Sequence, residues 1–282
     1  MIIGHHNIIA DLKKLADAKN LAHGYIFFGS PRVGKRLVAE GFANYLERGE
    51  FGPGTRTLSD AFFLEPSSEG AIGIDAIRSL REFLSQMPNV SPYRTAIVDG
   101  GEALTAEAQQ AFLKIAEEPP TTAVIILIVS DPESLLSTLQ SRFQQLYFGT
   151  VPHSELKKWL VSSLEISALK ADALARAAHG MPGLAWAMAN DETFIRYAES
   201  ARQFLKTSPR ERKDLIKDFV DDEQFQLDRF LEALLVELSE NAQLHPTQWH
   251  RAVGLRRDAS RFNLNPRLQL LALGNALMTS RS

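Results

Sequence analysis

Over the first half of the chain, short continuous apolar runs alternate with amphipathic stretches, which is the pattern of a parallel sheet covered by helices. Tyr25-Ile26-Phe27-Phe28 predicts a buried strand, and residues 35–46 the helix that follows it. Ala61-Phe62-Phe63-Leu64 predicts a second strand, with Ile74, Ile77, Leu80 and Leu84 recurring behind it at helical spacing. Thr95-Ala96-Ile97-Val98 predicts a third. Thr105 stands where it can cap a helix carrying Ala108, Ala111, Phe112 and Ile115 on one face, and Pro119-Pro120 stops that helix. Residues 123–129, rich in Val and Ile throughout, predict a fourth strand too apolar for a solvated edge.

Past Gly149, strand-like runs almost vanish, and Leu, Ala and charged residues recur at helical intervals to the end. Gly180-Met181-Pro182-Gly183 separates one helical region from the next, and the polar stretch 206–212 reads as a linker. The expected division is an α/β domain over residues 1–150, a small helical domain over 151–200 and a second helical domain over 201–282. In the last, Phe225, Leu227, Phe230, Leu231, Leu234, Leu235 and Leu238 make a broad apolar stripe. Such a stripe belongs either to the core of a small bundle, the commoner case, or to a partner surface.

Composition narrows the function classes. With 282 residues and 45% hydrophobic content the chain can bury a sizeable core in two or three domains. The absence of cysteine excludes disulfides and Cys-based zinc sites. No run of about 20 apolar residues occurs, and residues 1–11 lack a basic start followed by an apolar core. Neither membrane spanning nor secretion is expected, and cytoplasm is the expected location. A formal net charge of −3 argues against a protein that holds DNA by itself, because phosphate neutralisation needs a surplus of Lys and Arg. A local basic patch is compatible with that total.

Candidate chemistry begins between the first strand and its helix. Gly29-Ser30-Pro31-Arg32-Val33-Gly34-Lys35-Arg36 satisfies the G-x-x-x-x-G-K part of the P-loop pattern in the right strand-to-helix context. Glycines there let backbone N–H groups turn toward phosphate oxygens, and Lys35 would reach the outer phosphates. The next position should carry a Ser or Thr hydroxyl for magnesium, and it is Arg36. A guanidinium offers only donors and a permanent charge, so it cannot ligate a cation. The bland alternative is a strand-to-helix turn that binds nothing.

The third strand ends at Asp99, where a P-loop ATPase needs an acid to organise the magnesium shell, usually followed by a glutamate that activates water. Gly100-Gly101 follow instead, and Glu102 lies too far along to serve. Without hydroxyl or base, both metal positioning and water activation suffer. Asp99 also fits a plain strand-end cap. No metal site is expected.

Taken in order, His23-Gly24-Tyr25-Ile26-Phe27, the P-loop, residues 72–82, Val98-Asp99, Phe112-Leu113-Lys114-Ile115-Ala116-Glu117-Glu118-Pro119-Pro120 and Leu136-Ser137-Thr138-Leu139-Gln140-Ser141-Arg142-Phe143 resemble the clamp-loader branch of AAA+ P-loop proteins. The likeness spans most of residues 1–150. It implies an AAA+ α/β domain followed by a helical lid and a C-terminal helical collar. In that branch a Ser-Arg-Cys element presents an arginine to ATP bound by the neighbouring subunit, which implies that role for Ser141 and Arg142, with Phe143 in place of the cysteine. By position alone, Arg142 is a surface arginine at a strand-to-helix junction.

Ser130 falls where the branch carries a polar sensor of the terminal phosphate, and is otherwise a turn residue beside Asp131-Pro132. Gly180-Met181-Pro182-Gly183-Leu184-Ala185 is similar to the second sensor motif, with Leu184 in the arginine's place. The four-cysteine zinc module common in the branch is missing, and residues 46–60 form a Gly-rich connection instead. Asn263-Leu264-Asn265-Pro266-Arg267-Leu268 is similar to the collar of delta-prime-type subunits, where ring members join.

The resemblance implies a non-hydrolysing, delta-prime-like subunit that works in a hetero-oligomeric ring with motor and delta-type subunits and meets DNA and the sliding clamp only through that complex. It would need no cofactor, no zinc and no metal, while ATP or ADP could bind without turnover at Gly29, Gly34, Lys35, Arg36, Asp99 and Ser130. Two alternatives stand beside it: a working AAA+ ATPase subunit, and a catalytically dead AAA+ adaptor. Fold alone does not choose among the three.

Overall fold

The computed structural model describes residues 2–52, 54, 57–67, 70–222, 224–240, 246–259 and 264–277. They gather into two compact units: Met1–Ala168 with His179–Gly183, and Leu169–Ala178 with Leu184–Ser282.

In the first unit α1 (His6–Asp17) precedes β1 (Gly24–Phe28), followed by α2 (Lys35–Arg48), β2 (Ala61–Leu64), α3 (Ile74–Ser85), β3 (Arg94–Asp99), α4 (Ala106–Glu117), β4 (Ala123–Val129), α5 (Ser137–Gln140), β5 (Gln144–Tyr147) and α6 (His153–Leu164). The strands form one sheet in the order β2-β3-β4-β1-β5, with every neighbouring pair parallel. All of β4 is buried, as its unbroken Val/Ile run requires. Alternation along β1 divides the core. Tyr25 and Phe27 pack with Leu12, Val38 and Phe42 of α1 and α2, whereas Ile26 packs with Ile77, Leu80 and Phe112 of α3 and α4.

The four expected strands and the helices over residues 35–46, 74–84 and 106–117 all form within two residues of their expected ends. Thr105 caps α4, its hydroxyl accepting from the Ala108 amide at 3.2 Å. The expectation omitted α1, the short α5 and the edge strand β5. The sequence of β5, Gln144-Gln145-Leu146-Tyr147, is too polar to read as a strand alone, and its pairing with β1 supplies what its composition lacks.

In the second unit run α7 (Ala168–Ala177), most of α8 (Pro182–Asn190), α9 (Glu192–Lys206), α10 (Arg212–Val220), α11 (Leu227–Glu240), α12 (Pro246–Ala259) and α13 (Pro266–Ala276). The apolar stripe of α11 faces the core. Leu227, Phe230, Leu231, Leu234 and Leu238 are buried, Phe225 and Leu235 are half-buried, and the helix packs on α9 and α12. Buried Arg212 donates to the carbonyls of Phe204, Thr207 and Gly274, tying the end of α9 to α13. In the collar-like motif, Asn265 caps α13 by accepting from Leu268 N at 3.1 Å, with Pro266 in the first turn. Asn263 lies outside the described residues, as do Pro53, Thr55 and Arg56 of the Gly-rich connection. No helix among the described residues is long and apolar enough to cross a membrane.

One buried carboxylate aligns the edge of the sheet that leads to the site. Asp60, 1% exposed just before β2, accepts from the amides of Asn89, Val90 and Ser91 at 2.7–2.8 Å and lies 3.5 Å from the Arg94 guanidinium. Burial works against its charge, but those amides and Arg94 outweigh burial and hold the carboxyl below its usual range. Its contribution is therefore present above pH 3.8, the ordinary Asp value, and is lost as pH falls through its lower folded value. Asp60→Ala should lower unfolding stability by about 3–5 kcal/mol at neutral pH, because it strands a buried guanidinium and three amides. Urea unfolding at pH 7 and below pH 3 checks this: the gap between wild type and variant should shrink in acid.

A phosphate loop closed by its own side chains

The loop after β1 has the backbone of a phosphate-binding turn. Gly29, Arg32 and Gly34 all adopt positive φ (136°, 59° and 108°). At Gly29 a side chain is excluded outright, since a Cβ would run into the carbonyl oxygen of Phe148. Gly183 closes the loop from outside by donating its amide to the Arg32 carbonyl at 2.9 Å. Of the sensor-like stretch, Gly183 thus meets the phosphate loop at Arg32, while Leu184, in the place of an arginine, is a buried apolar residue.

Lys35 does not reach outward. It is 7% exposed, and its amine donates to the loop's own carbonyls, Gly29 at 2.6 Å and Ser30 at 2.8 Å. Burial lowers its pKa to about 8 against the partial support of the Glu102 and Asp99 charges.

Arg36 fills the corner where a magnesium ligand is expected. Its Nε bonds Glu40 Oε1 at 2.7 Å, and its Nη1 lies 2.5 Å from Glu65 Oε1 and 3.2 Å from Asp99 Oδ2. One guanidinium therefore gathers carboxylates from α2, from the residue after β2 and from the end of β3. Burial opposes its charge, but the bonds to Glu40 and Glu65 prevail and raise its pKa above the ordinary arginine value. Asp99 is also raised above its ordinary value, because burial disfavours its charge and Arg36 only partly offsets this.

Downstream of Asp99 the backbone itself disfavours a base. Gly100 has φ 84°, a left-handed conformation that would strain a glutamate. Glu102 turns to the end of β4 and accepts from the Ser130 amide at 3.2 Å. Ser130 is exposed at that strand end. Gly29, Gly34, Lys35, Arg36, Asp99 and, through Glu102, Ser130 thus share one end of the sheet, with the cationic groups already satisfied by the chain.

Ser141 and Arg142 lie elsewhere, on the turn between α5 and β5. Ser141 Oγ donates to the Thr138 carbonyl at 3.0 Å. Arg142 Nη1 donates to the same carbonyl at 2.9 Å, and its Nη2 meets Glu117 Oε1 at 2.9 Å. Phe143, standing where a cysteine is expected, is a buried anchor. Its ring lies 6.0 Å from that of Phe112, edge to face, and occupies the space that a side chain on Gly24 would need. The sequence reading gave no site role to Glu40, Glu65 or Glu117, the last of which it quoted only within the resemblance motif. Glu40 was visible as the i+4 partner of Arg36; the other two depend on which strands and helices are neighbours.

Such a sheet, with a phosphate-loop turn at the end of its fourth-ranked strand and a separate helical unit, defines the AAA+ class. Across 95% of this chain and 97% of the other, the structure is similar to a DNA polymerase III gamma subunit-related protein from Thermotoga maritima, with TM-score 0.58 and 22% identity. It is also similar to the RuvB Holliday junction branch migration motor of Thermotoga maritima, with TM-score 0.52 and 15% identity over 94% of this chain and 87% of that one. At these identities the likeness concerns fold alone.

In sequence, the chain is 31% identical over 157 residues to DNA polymerase III subunit delta' of Pseudomonas aeruginosa, covering 51% of this chain and 48% of that protein. It is 29% identical over 178 residues to DNA polymerase III subunit gamma/tau of Mycobacterium tuberculosis, covering 58% of this chain and 31% of that protein. The matches thus span about a third to a half of these relatives' lengths. The family model for DNA polymerase III, delta subunit, matches residues 4–152, and the chain belongs to that family.

The buried amine gives a pH signature. Between about pH 8 and 10.5 an unfolded lysine holds a proton that folded Lys35 has released, so stability gains as pH rises through that window. In Lys35→Met this gain should be absent. Urea unfolding of both proteins between pH 7 and 10.5 measures it, and parallel pH profiles would refute the assignment.

Proposed function

We propose that this chain is a delta-prime-like subunit of a sliding-clamp loader in DNA replication, one that does not hydrolyse ATP and that offers Arg142 to the ATP site of a neighbouring subunit. The observation that carries the reading is the seat of Arg36: its guanidinium lies among Glu40, Glu65 and Asp99 at the corner a magnesium ion would take. A permanent tethered cation cannot bind water or phosphate oxygens as a metal does, and no base stands after Asp99. The chain's own pocket therefore serves structure, and no metal or zinc is required; ATP or ADP held there would stay intact.

Arg142 supports the second half. Its guanidinium is one-third exposed and rooted beside buried Phe143, as a group aimed at a site outside its own chain should be. A planar cation supplied in trans stabilises charge that spreads over a transferred phosphoryl group, typically by about 10³–10⁵ in rate. The fitting partners are motor and delta-type subunits in a hetero-oligomeric ring, with DNA and clamp met through the assembly, in the cytoplasm.

Two measurements test this. The purified chain should show no magnesium-dependent ATP turnover; robust turnover would instead establish a working ATPase. In a reconstituted loader, Arg142→Ala should slow the site it faces on the order of 10³-fold with ring assembly unchanged. Unaltered ATP turnover in that variant would leave a scaffold role only.

A further inference from the structure

The glutamate–proline motif after α4 has no part in the chemistry above, yet the structure joins it to the Ser-Arg element. Glu117, the last residue of α4, holds Arg142 Nη2 at 2.9 Å, while the Thr138 carbonyl holds Nη1 at 2.9 Å. The two anchors grip different terminal nitrogens, so together they fix the plane of the guanidinium as well as its position. Arginine carries five N–H donors. With these two engaged, Nε–H and the second hydrogen of each terminal nitrogen remain for a phosphate.

Stability is a poor explanation for this pair. Arg142 is 34% exposed and Glu117 51% exposed, and ion pairs at such exposure add little to folding. Orientation is a better one. An unheld arginine samples many rotamers and must give up that freedom each time it meets a phosphate, whereas a held one has already lost it. The frame behind the pair is rigid: Phe143 is buried against Phe112 of α4, and the buried Gln109 of the same helix bonds the Ser134 carbonyl and the Leu136 amide. One helix thus fixes the backbone that carries Arg142 and, through its final carboxylate, the side chain too.

We propose that Glu117 is the positioning residue of Arg142, holding the guanidinium ready for the polyphosphate of a nucleotide on a neighbouring subunit; this rests on the reading of Arg142 as an arginine supplied in trans. The charge fits the task. A single carboxylate on one nitrogen orients the cation and is far from the number of acceptors needed to satisfy it, so the phosphate still finds open donors.

The test is ATP kinetics of the reconstituted loader carrying full-length variants of this chain. Glu117→Ala should lower kcat about two- to five-fold, the range set by exposed-pair coupling, with KM for ATP unchanged. Glu117→Gln, which keeps an acceptor oxygen, should lose less, and it serves in place of the alanine variant if that one fails to assemble. Joined to Arg142→Ala, Glu117→Ala should cost nothing further, because its effect passes through the arginine.

A Glu117 variant that leaves kcat unchanged or raises it, or a loss that adds fully to that of Arg142→Ala, overturns the positioning role while the arginine's own role stands. If Arg142→Ala itself leaves turnover intact, both fall.

Discussion

The arrangement of the closed site depends on one guanidinium. Glu40, Glu65 and Asp99 converge from three elements, and without a cation among them three carboxylates would repel at close range. Asp99 already shows the strain of that environment, its pKa raised by burial even with Arg36 beside it. A Ser or Thr at position 36 would leave the same carboxylates to be neutralised by an ion from solution. Arg36 neutralises them from within the chain, with no ion drawn from solution. The pocket is therefore complete before any ligand arrives. Lys35 follows the same logic, its amine held by the carbonyls of Gly29 and Ser30.

Much of the first unit was legible because its signals are local. The run of β4 is apolar at every position and buried at every position; Thr105 caps the helix it precedes; Pro119-Pro120 follow the helix they end. What was not legible depends on neighbours distant in sequence. Glu65 meets Arg36 because β2 and β3 pair with Leu64 opposite Val98, which brings the residues after both strands to the same corner. Residues 144–147 gave no strand signal because their pairing with β1, not their composition, makes the strand. In the second unit the α11 stripe left core and partner open, and burial of Phe230, Leu231 and Leu234 decides for the core.

At the candidate site the residue types were readable and their partners were not. That Arg36 cannot ligate a metal follows from its donors alone; that it sits among three carboxylates is visible only in the fold. In the sequence Phe143 was only a departure from the cysteine of the Ser-Arg-Cys element. The structure shows a fitted exchange instead, since the ring fills the room left by Gly24 and meets Phe112 edge to face. A sequence read one residue at a time cannot see that a glycine opening one strand and a phenylalanine just before another share one space.

The same kind of coupling ties the phosphate-loop turn to the strand that follows Arg142. Gly29 must lack a side chain because the Phe148 carbonyl passes against it, and the Phe148 amide donates to Phe28 at 2.7 Å. Those contacts fasten the segment after β5 to the end of β1, and β5 itself runs parallel to β1 from Gln144 onward, one residue beyond Phe143. A bulkier residue at position 29 would push the β5 end of the sheet away from β1, and with it the strand that begins immediately after the Ser-Arg turn. The geometry of the loop is thus coupled to the strand that follows Arg142. Arg36 after the loop lysine and Gly100 after Asp99 lie outside these contacts, so neither departure disturbs the strand that follows the Ser-Arg turn.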